Sequence, residues 1–333
     1  MRLIITGGAG FIGSNLILQL RAKYPDYQIL NLDKLSYASD LKYLRHLEYD
    51  DNYTFKQFDL IDRGSVRQVI RDFKPDGIFH LAAESHVDNS IAGPEPFVMS
   101  NVVGTFNILE EFRQFWLDSG KPGDARFLHV STDEVYGSLG AEGFFTEETC
   151  YAPNSPYSAS KAGSDFLVRA YYHTYGLDVV TTNCSNNYGP NQHDEKLIPT
   201  VIQSALHHKS IPVYGKGDNV RDWLFVEDHC RALDLVFHKG KAGEAYNIGG
   251  HNEWKNIELV CEICNILNTI AKDGPDGDYK NLITFVRDRP GHDQRYAIDP
   301  TKIETKLGWR NTQNFKEDLK KTVHWYLEKY KQQ

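Results

Sequence analysis

The 333 residues predict a doubly wound α/β fold: a parallel sheet with helices on both faces and a smaller, mostly C-terminal α/β lobe. Three features carry that prediction. Apolar strand-like runs alternate with amphipathic helical runs through the first half, a succession that demands crossovers and places helices on both faces of a sheet. A glycine-rich turn joins the first such run to the first helix. Beyond residue 190 the rhythm becomes irregular.

In order, "RLIIT" (2–6) reads as a strand and "FIGSNLILQLRAKY" as the helix after it. "QILNLD" (28–33) and "YTFKQFD" (53–59) follow as strands, then "RGSVRQVIRDF" as a helix. "GIFHLA" (77–82) is the fourth strand, "FVMSNVVGTFNILEEFRQFWL" a long helix and "RFLHVS" (126–131) the fifth strand. A helix over 156–175 leads into the strand "DVVTTNC" (178–184). Further helices are expected near 196–208, 227–238, 256–270 and 315–331, the last with the core-facing stripe Phe315, Leu319, Val323, Tyr326 and Tyr330. Residues 1–190, with later segments interleaved, are expected to form the main domain and 191–333 the smaller lobe. No linker separates them, so close packing is expected.

The composition, 41% hydrophobic and 25% charged, is that of an ordinary water-soluble protein. A net charge of −8 disfavours nucleic acid and anionic membranes as partners, and no apolar run approaches a membrane span. "MRLIITGG" is a first strand rather than a signal peptide, so a reducing cytoplasm is expected. Cys261 and Cys264 form a C-x-x-C, but with Ile257, Val260 and Leu267 they repeat at helical spacing and read as core. His80, His86 and His129 lack metal-ligand spacing, and no metal is expected.

"ITGGAGFIGS" places Gly8, Gly10 and Gly13 in G-x-G-x-x-G, and Gly7, Gly10 and Gly13 in G-x-x-G-x-x-G. Between a strand and a helix this is the Rossmann-type dinucleotide fingerprint: a tight turn, close backbone approach to pyrophosphate, and a helix N-terminus facing it. Asp33 ends the second strand twenty residues after Gly13, where a carboxylate bonds ribose hydroxyls and repels the extra phosphate of NADP. NAD is therefore favoured, a preference tempered by Lys34. Asp59 and Leu60 are expected at the adenine edge.

"PYSASKAG" supplies Tyr157 and Lys161, four residues apart on one helix face. A phenol must fall by about three pKa units, ~4 kcal/mol, to act as a base near neutrality, and a neighbouring ammonium and oxidised nicotinamide can supply this. Thr132 lies twenty-five residues upstream, within "HVSTDEVYGS". Next to it stand Asp133 and Glu134. Neighbouring strand residues face opposite ways, so the strand must end near Thr132 if both carboxylates are to meet one substrate.

From "TGGAGFIG" through "YSASK" to "NNYGP" (186–190) the chain resembles the extended short-chain dehydrogenase/reductase superfamily. "STDEVYG" is similar to the signature of nucleoside-diphosphoglucose 4,6-dehydratases, the dTDP-glucose group in particular. "HLAAESHVD" (80–88), "EKLIP" (195–199), "GDNVRDW" (217–223) and "RPGHDQRYAID" (289–299) strengthen the likeness. The resemblance implies NAD as cofactor, dTDP-glucose as substrate and a 4-keto-6-deoxy sugar as product. Tyr157, assisted by Lys161, would deprotonate the C4 hydroxyl as hydride leaves C4, with Thr132 bonding the C4 oxygen. Glu134 would then take the C5 proton while Asp133, its pKa raised by burial and by Glu134, protonates the departing C6 hydroxyl. Hydride would return to C6.

The same resemblance implies cofactor contacts from Gly7, Gly10, Phe11, Ile12 and Gly13, from Asp33, Lys34, Leu35 and Ser36, and from Asp59 and Leu60. Leu81, Ala82, Ala83, Ser100 and Asn187 complete that set. Glu84 and Ser85 would lie near the sugar and nicotinamide. Asn186, Lys196, Leu197 and Pro212 would serve the nucleotide sugar, as would Tyr214, Arg221 and Asn256, then Arg289, His292 and Tyr296. Asn89 departs from the arginine of many relatives. The implied assembly is a homodimer packed through helices near 95–117 and 156–175. A UDP-glucose 4,6-dehydratase is the alternative, since one methyl group is worth only ~1–3 kcal/mol. A UDP-sugar 4-epimerase or UDP-glucuronate decarboxylase needs no acid–base pair at C5 and C6. A silent NAD-binding scaffold would not be expected to retain all five catalytic side chains.

Overall fold

The computed structural model describes residues 1–120, 125–271, 274–311 and 314–331. Seven parallel strands form the main sheet: β1 (Arg2–Thr6), β2 (Gln28–Asp33), β3 (Tyr53–Gln57), β4 (Gly77–His80), β5 (Arg126–Thr132), β6 (Asp178–Cys184) and β10 (Ala245–Ile248). Their spatial order is β3-β2-β1-β4-β5-β6-β10. The order reverses between β1 and β4, and the crevice outside the carboxyl ends at such a point is where α/β sheets bind ligands. β3 and β4 end two residues earlier than expected, which leaves Asp59, Leu81 and Ala82 in the loops over that crevice.

Alternation along the strands builds two cores. Leu3, Ile5, Leu128 and Val130 pack on one face against Leu16 and Leu20 of the helix Phe11–Lys23 and Leu233 and Phe237 of the helix Val226–Lys239. Ile4, Ile78 and Phe127 pack on the other against the helices Arg63–Phe73, Thr105–Asp118 and Pro156–Tyr175. The long helix expected from Phe97 to Leu117 is not uniform. An α-turn at Glu95–Phe97 gives way to a seven-residue π-helix, Val98–Gly104, before α-geometry resumes at Thr105.

The chain crosses into a second lobe at β7 (Asn186–Tyr188), which pairs with β9 (Val220–Phe225), itself paired with β11 (Glu253–Lys255). β8 (Ile211–Tyr214) and β12 (Ile283–Val286) form a parallel pair beside it. The helices Leu197–Leu206, Asn256–Ile270 and Phe315–Lys331 enclose a third core, to which Cys264 and the expected stripe from Phe315 to Tyr330 belong. The later helix Val226–Lys239 and β10 return to the main sheet. Among the described residues no helix is long and apolar enough to cross a membrane.

Candidate active site

One cleft runs along the carboxyl ends of the main strands, from the glycine turn to the start of the second lobe. Gly7 adopts a φ of +69°, and a Cβ there would lie 2.8 Å from the backbone of Ala82. A Cβ on Gly13 would stand 2.2 Å from the Gly7 carbonyl, so both glycines are required by packing. Gly10, Phe11 and Ile12 line the cleft where the helix Phe11–Lys23 presents its free N–H groups. Asp33 is buried at the end of β2; Ala9 N–H donates to its Oδ2 at 3.0 Å and Leu35 N–H to its Oδ1 at 2.8 Å. The carboxylate is thereby fixed with lone pairs to spare. Lys34, which tempered the preference for NAD, is committed elsewhere. Its Nζ lies 2.7 Å from Glu84 and 3.7 Å from Asp59.

The far end of the cleft is built by β5 and the helix Pro156–Tyr175. β5 ends at Thr132, whose Oγ1 accepts from the Glu134 N–H at 3.3 Å and opens a 3₁₀ turn, Asp133–Tyr136. Gly137 closes that turn at a φ of +94°, with no room for a side chain beside Ala152. Asp133 and Glu134 consequently both face the cleft, as do Thr132, Tyr157 and Lys161. The helix is positioned by its cap. Ser155 accepts from Ser158 N–H at 3.0 Å, Ser158 Oγ accepts from Ser155 N–H at 3.1 Å, and Pro156 opens the first turn.

The electrostatics separate the two carboxyls. Burial, then the charges of Glu134 and Asp222, push Asp133 well above the usual carboxylate range. Its Oδ1 accepts from Thr132 Oγ1 at 3.3 Å, while its buried Oδ2 has no partner among the described residues. Burial also raises Glu134, but Arg289, Arg221 and Lys196 pull it back. Tyr157 departs from expectation. Its phenol is pushed up by burial and by Glu134, opposed by the neighbouring Thr132 hydroxyl. Lys161 Nζ donates to the Val130 carbonyl at 2.8 Å, and burial lowers its pKa.

The expected cofactor residues Gly7, Gly10, Phe11, Ile12, Gly13, Asp33, Lys34 and Ser36 line the cleft. So do Asp59, Leu60, Leu81, Ala82, Ala83, Ser100, Tyr157, Lys161 and Asn187. Leu35 does not; it adopts a left-handed φ of +56° and serves Asp33 through its N–H. Of the expected substrate residues, Ser85, Thr132, Asn186 and Lys196 line the cleft. Glu84 is outside it, bound to Lys34 and, through its backbone, to Asn101.

The remaining expected substrate residues lie outside this cleft. Tyr214 donates to Asp88 at 3.2 Å, Arg289 stands 3.5 Å from Asp88, and His292 pairs with Asp288 at 2.6 Å. Arg221 is buried against the Tyr296 ring, 4.3 Å from its centroid, and donates to the Val220 and Asp293 carbonyls. Leu197 packs on the third core and Pro212 is exposed on β8. Asn256 opens its helix with a buried Oδ1 that lacks a partner among the described residues. Sequence reasoning missed Ser131, Cys184, Ser185, Gln192 and Glu195, which also line the cleft. Their signal was adjacency: each lies within a few residues of a motif already singled out.

A family model described as GDP-mannose 4,6 dehydratase matches residues 4–322. A probable dTDP-glucose 4,6-dehydratase of Sinorhizobium fredii is 53% identical over 330 residues, covering 98% of this chain and 93% of that protein. The dTDP-glucose 4,6-dehydratase of Salmonella typhimurium is 50% identical over 338 residues, with the same coverages. Among solved structures, the Streptomyces venezuelae dTDP-glucose 4,6-dehydratase DesIV, with NAD and TYD bound, superposes with a TM-score of 0.89 at 45% identity, covering 100% of this chain and 98% of that one. A UDP-glucose 4-epimerase from Thermus thermophilus still reaches 0.86 at 27% identity, covering 98% and 99%. The backbone alone therefore does not separate the two chemistries.

Proposed function

Because this chain belongs to the GDP-mannose 4,6 dehydratase family, and within it stands with the dTDP-glucose 4,6-dehydratases, we infer that it converts dTDP-glucose to dTDP-4-keto-6-deoxyglucose with NAD regenerated in each turnover. One observation carries the reading beyond the shared fold: Asp133 and Glu134 both face the cleft that Tyr157 lines. An epimerase has no use for that pair.

The cleft fits a dinucleotide. Gly10 and the helix N-terminus would hold the pyrophosphate, and the fixed carboxylate of Asp33 the adenosine ribose. Lys34, the basic neighbour of Asp33 in sequence, is paired with Glu84 rather than left to welcome a ribose phosphate. When bound, NAD supplies the hydride acceptor at C4 and the donor at C6. Tyr157 takes the C4 hydroxyl proton, and Thr132 bonds the oxygen. Burial and Glu134 hold the Tyr157 phenol high, so the positive charge of Lys161 and of oxidised nicotinamide has more to offset than in water. The C4 ketone acidifies C5, and Glu134 removes that proton. Asp133, kept protonated by its surroundings, gives its proton to the C6 hydroxyl as water leaves, and a proton returns to C5 when the hydride reaches C6. Lys196 on the cleft, with Arg221 and Arg289 outside it but close enough to act on Glu134, would supply cations for the diphosphate in a protein of net charge −8.

The lobe of residues 191–333 would carry the nucleotide sugar and residues 1–190 the cofactor. A homodimer is the proposed assembly. Val98, Leu117 and Phe166, on the helical segment ending at Asp118 and on the helix Pro156–Tyr175, are each about half exposed, which suits a helix-to-helix contact. Deoxysugar supply for a surface polysaccharide, in the cytoplasm, is the proposed setting.

The test is incubation of the purified protein with NAD and either dTDP-glucose or UDP-glucose. Loss of one water by mass spectrometry, without sustained NADH absorbance and faster with dTDP-glucose, is expected. Appearance of the galactose isomer at unchanged mass would overturn the roles of Asp133 and Glu134.

A further inference from the structure

The helix Pro156–Tyr175 carries Tyr157, Lys161 and Asp165 at successive steps of four, on one face. The reaction as read above makes no use of Asp165, yet this residue is only 4% exposed and collects three hydrogen bonds. His129 Nε2 pairs with its Oδ1 at 2.9 Å; Ser131 Oγ and Tyr151 OH donate to its Oδ2 at 2.7 and 3.0 Å. Lys161 Nζ meanwhile donates to the carbonyl of Val130. Three consecutive residues of β5, His129, Val130 and Ser131, are thus tied to this helix face directly before Thr132 and the two carboxyls.

We propose that Asp165 is a positioning residue for the dehydration: its carboxylate fixes the end of β5 against the helix and supplies the buried negative charge that keeps Lys161 an ammonium. The proposal rests on the reading of Tyr157 and Lys161 as the C4 oxidation pair.

A buried ammonium without a counter-charge tends to give up its proton. Burial pushes Lys161 down, and Asp165 is the foremost opposing influence. The other titratable groups facing Lys161 offer little. His80 and His129 are driven toward the neutral form by burial and by Lys161 itself, and burial pushes the Cys184 thiol up to about 12. Tyr157 and Cys184 are uncharged at neutral pH before reaction. Asp165 is faced in turn by His129, Ser131, Tyr151 and Tyr136, none of them a cation in these states.

The Asp165→Asn variant separates charge from shape. Its carbonyl oxygen can keep Ser131 and Tyr151. Its amide can donate to His129 Nε2 once the ring proton moves to Nδ1, a buried atom without a partner among the described residues. The folded variant should keep KM for dTDP-glucose within about twofold and lose roughly tenfold or more in kcat. The alkaline limb of its kcat–pH profile should move down by about one unit. Acetic anhydride labelling of Lys161, followed by mass spectrometry, should begin at correspondingly lower pH. Tyr151→Phe removes the hydrogen bond to Asp165 and the longer one accepted from Asn183 but keeps the charge; it should lower Tm and leave both pH curves in place. Unmoved curves in Asp165→Asn, or equal shifts in Tyr151→Phe, would overturn the proposal. Should the wild-type protein fail to dehydrate the sugar, the assigned activity falls with the kcat arm, and the labelling curves alone decide the pairing.

Discussion

Asp133 and Glu134 are neighbours in sequence with opposite tasks, and the physical reason they differ is what surrounds each. Burial raises both; two like charges add to it at Asp133, whereas three cations oppose it at Glu134. In Glu134→Gln, C4 oxidation should survive while C5 deprotonation slows by about 10²–10⁴-fold. Reduced cofactor would then accumulate on mixing with dTDP-glucose, seen as a rise in NADH absorbance; a flat trace would remove Glu134 from the role of base. Asp133→Asn tests the acid through stability. A carboxyl whose folded pKa lies above its ordinary value stabilises the fold most below the usual carboxylate range, and that contribution is lost as pH rises through the folded value. The asparagine has no such loss. Thermal melts should therefore show Asp133→Asn gaining about 1–3 °C on the wild type between about pH 4 and pH 8, while dehydration is abolished. A variant that melts lower than the wild type at about pH 8 would contradict the buried-acid picture.

At the scale of elements, the four helices expected near 196–208, 227–238, 256–270 and 315–331 were legible to within two residues because their stripes are long and regular, whereas the short helix Thr301–Leu307 was not anticipated. Within the long helix expected from Phe97 to Leu117, the unanticipated feature was the π-helix Val98–Gly104. No residue pattern distinguishes it from an α-helix; it exists because Asn101 is held from outside, donating to the Glu84 carbonyl at 3.0 Å and to Ser160 Oγ at 2.8 Å. Such segments recur at functional sites, and this one sets Ser100 on the cleft. Deleting Val102 should restore α-geometry and rotate Asn101 off Glu84. Turnover should fall on the order of 10²-fold, with a lower Tm; unchanged kcat would show that the extra residue is incidental. The same limit of sequence reasoning explains Lys34 and Tyr157. Spacing located both, but the ion pair to Glu84 and the burial of the phenol come from segments far away in the chain.

For the molecule as a whole, alternation and the glycine turn made the sheet and the cofactor crevice readable, because both are local in sequence. The outer wall, where Asp88 gathers Tyr214 and Arg289, joins residues more than a hundred positions apart and leaves no local pattern. The interleaving has a measurable cost. A fragment of residues 1–190 lacks β10 and the helix carrying Cys230, Leu233, Val236 and Phe237, so part of one sheet face and the outer edge of β6 are bare. It should melt without a cooperative transition and fail to bind NAD by fluorescence titration; a sharp melt with binding would show that the half folds alone. The placement of β10 also sets a clock on synthesis. A ribosome adding about 5–20 residues per second needs about 3–13 s to travel from Cys184 to Ile248. Throughout that interval β6, rich in β-branched residues, waits with an unpaired edge. Each new copy is thus most prone to pair with a wrong neighbour at a fixed moment of its birth, and that hazard ends when the last parallel strand emerges.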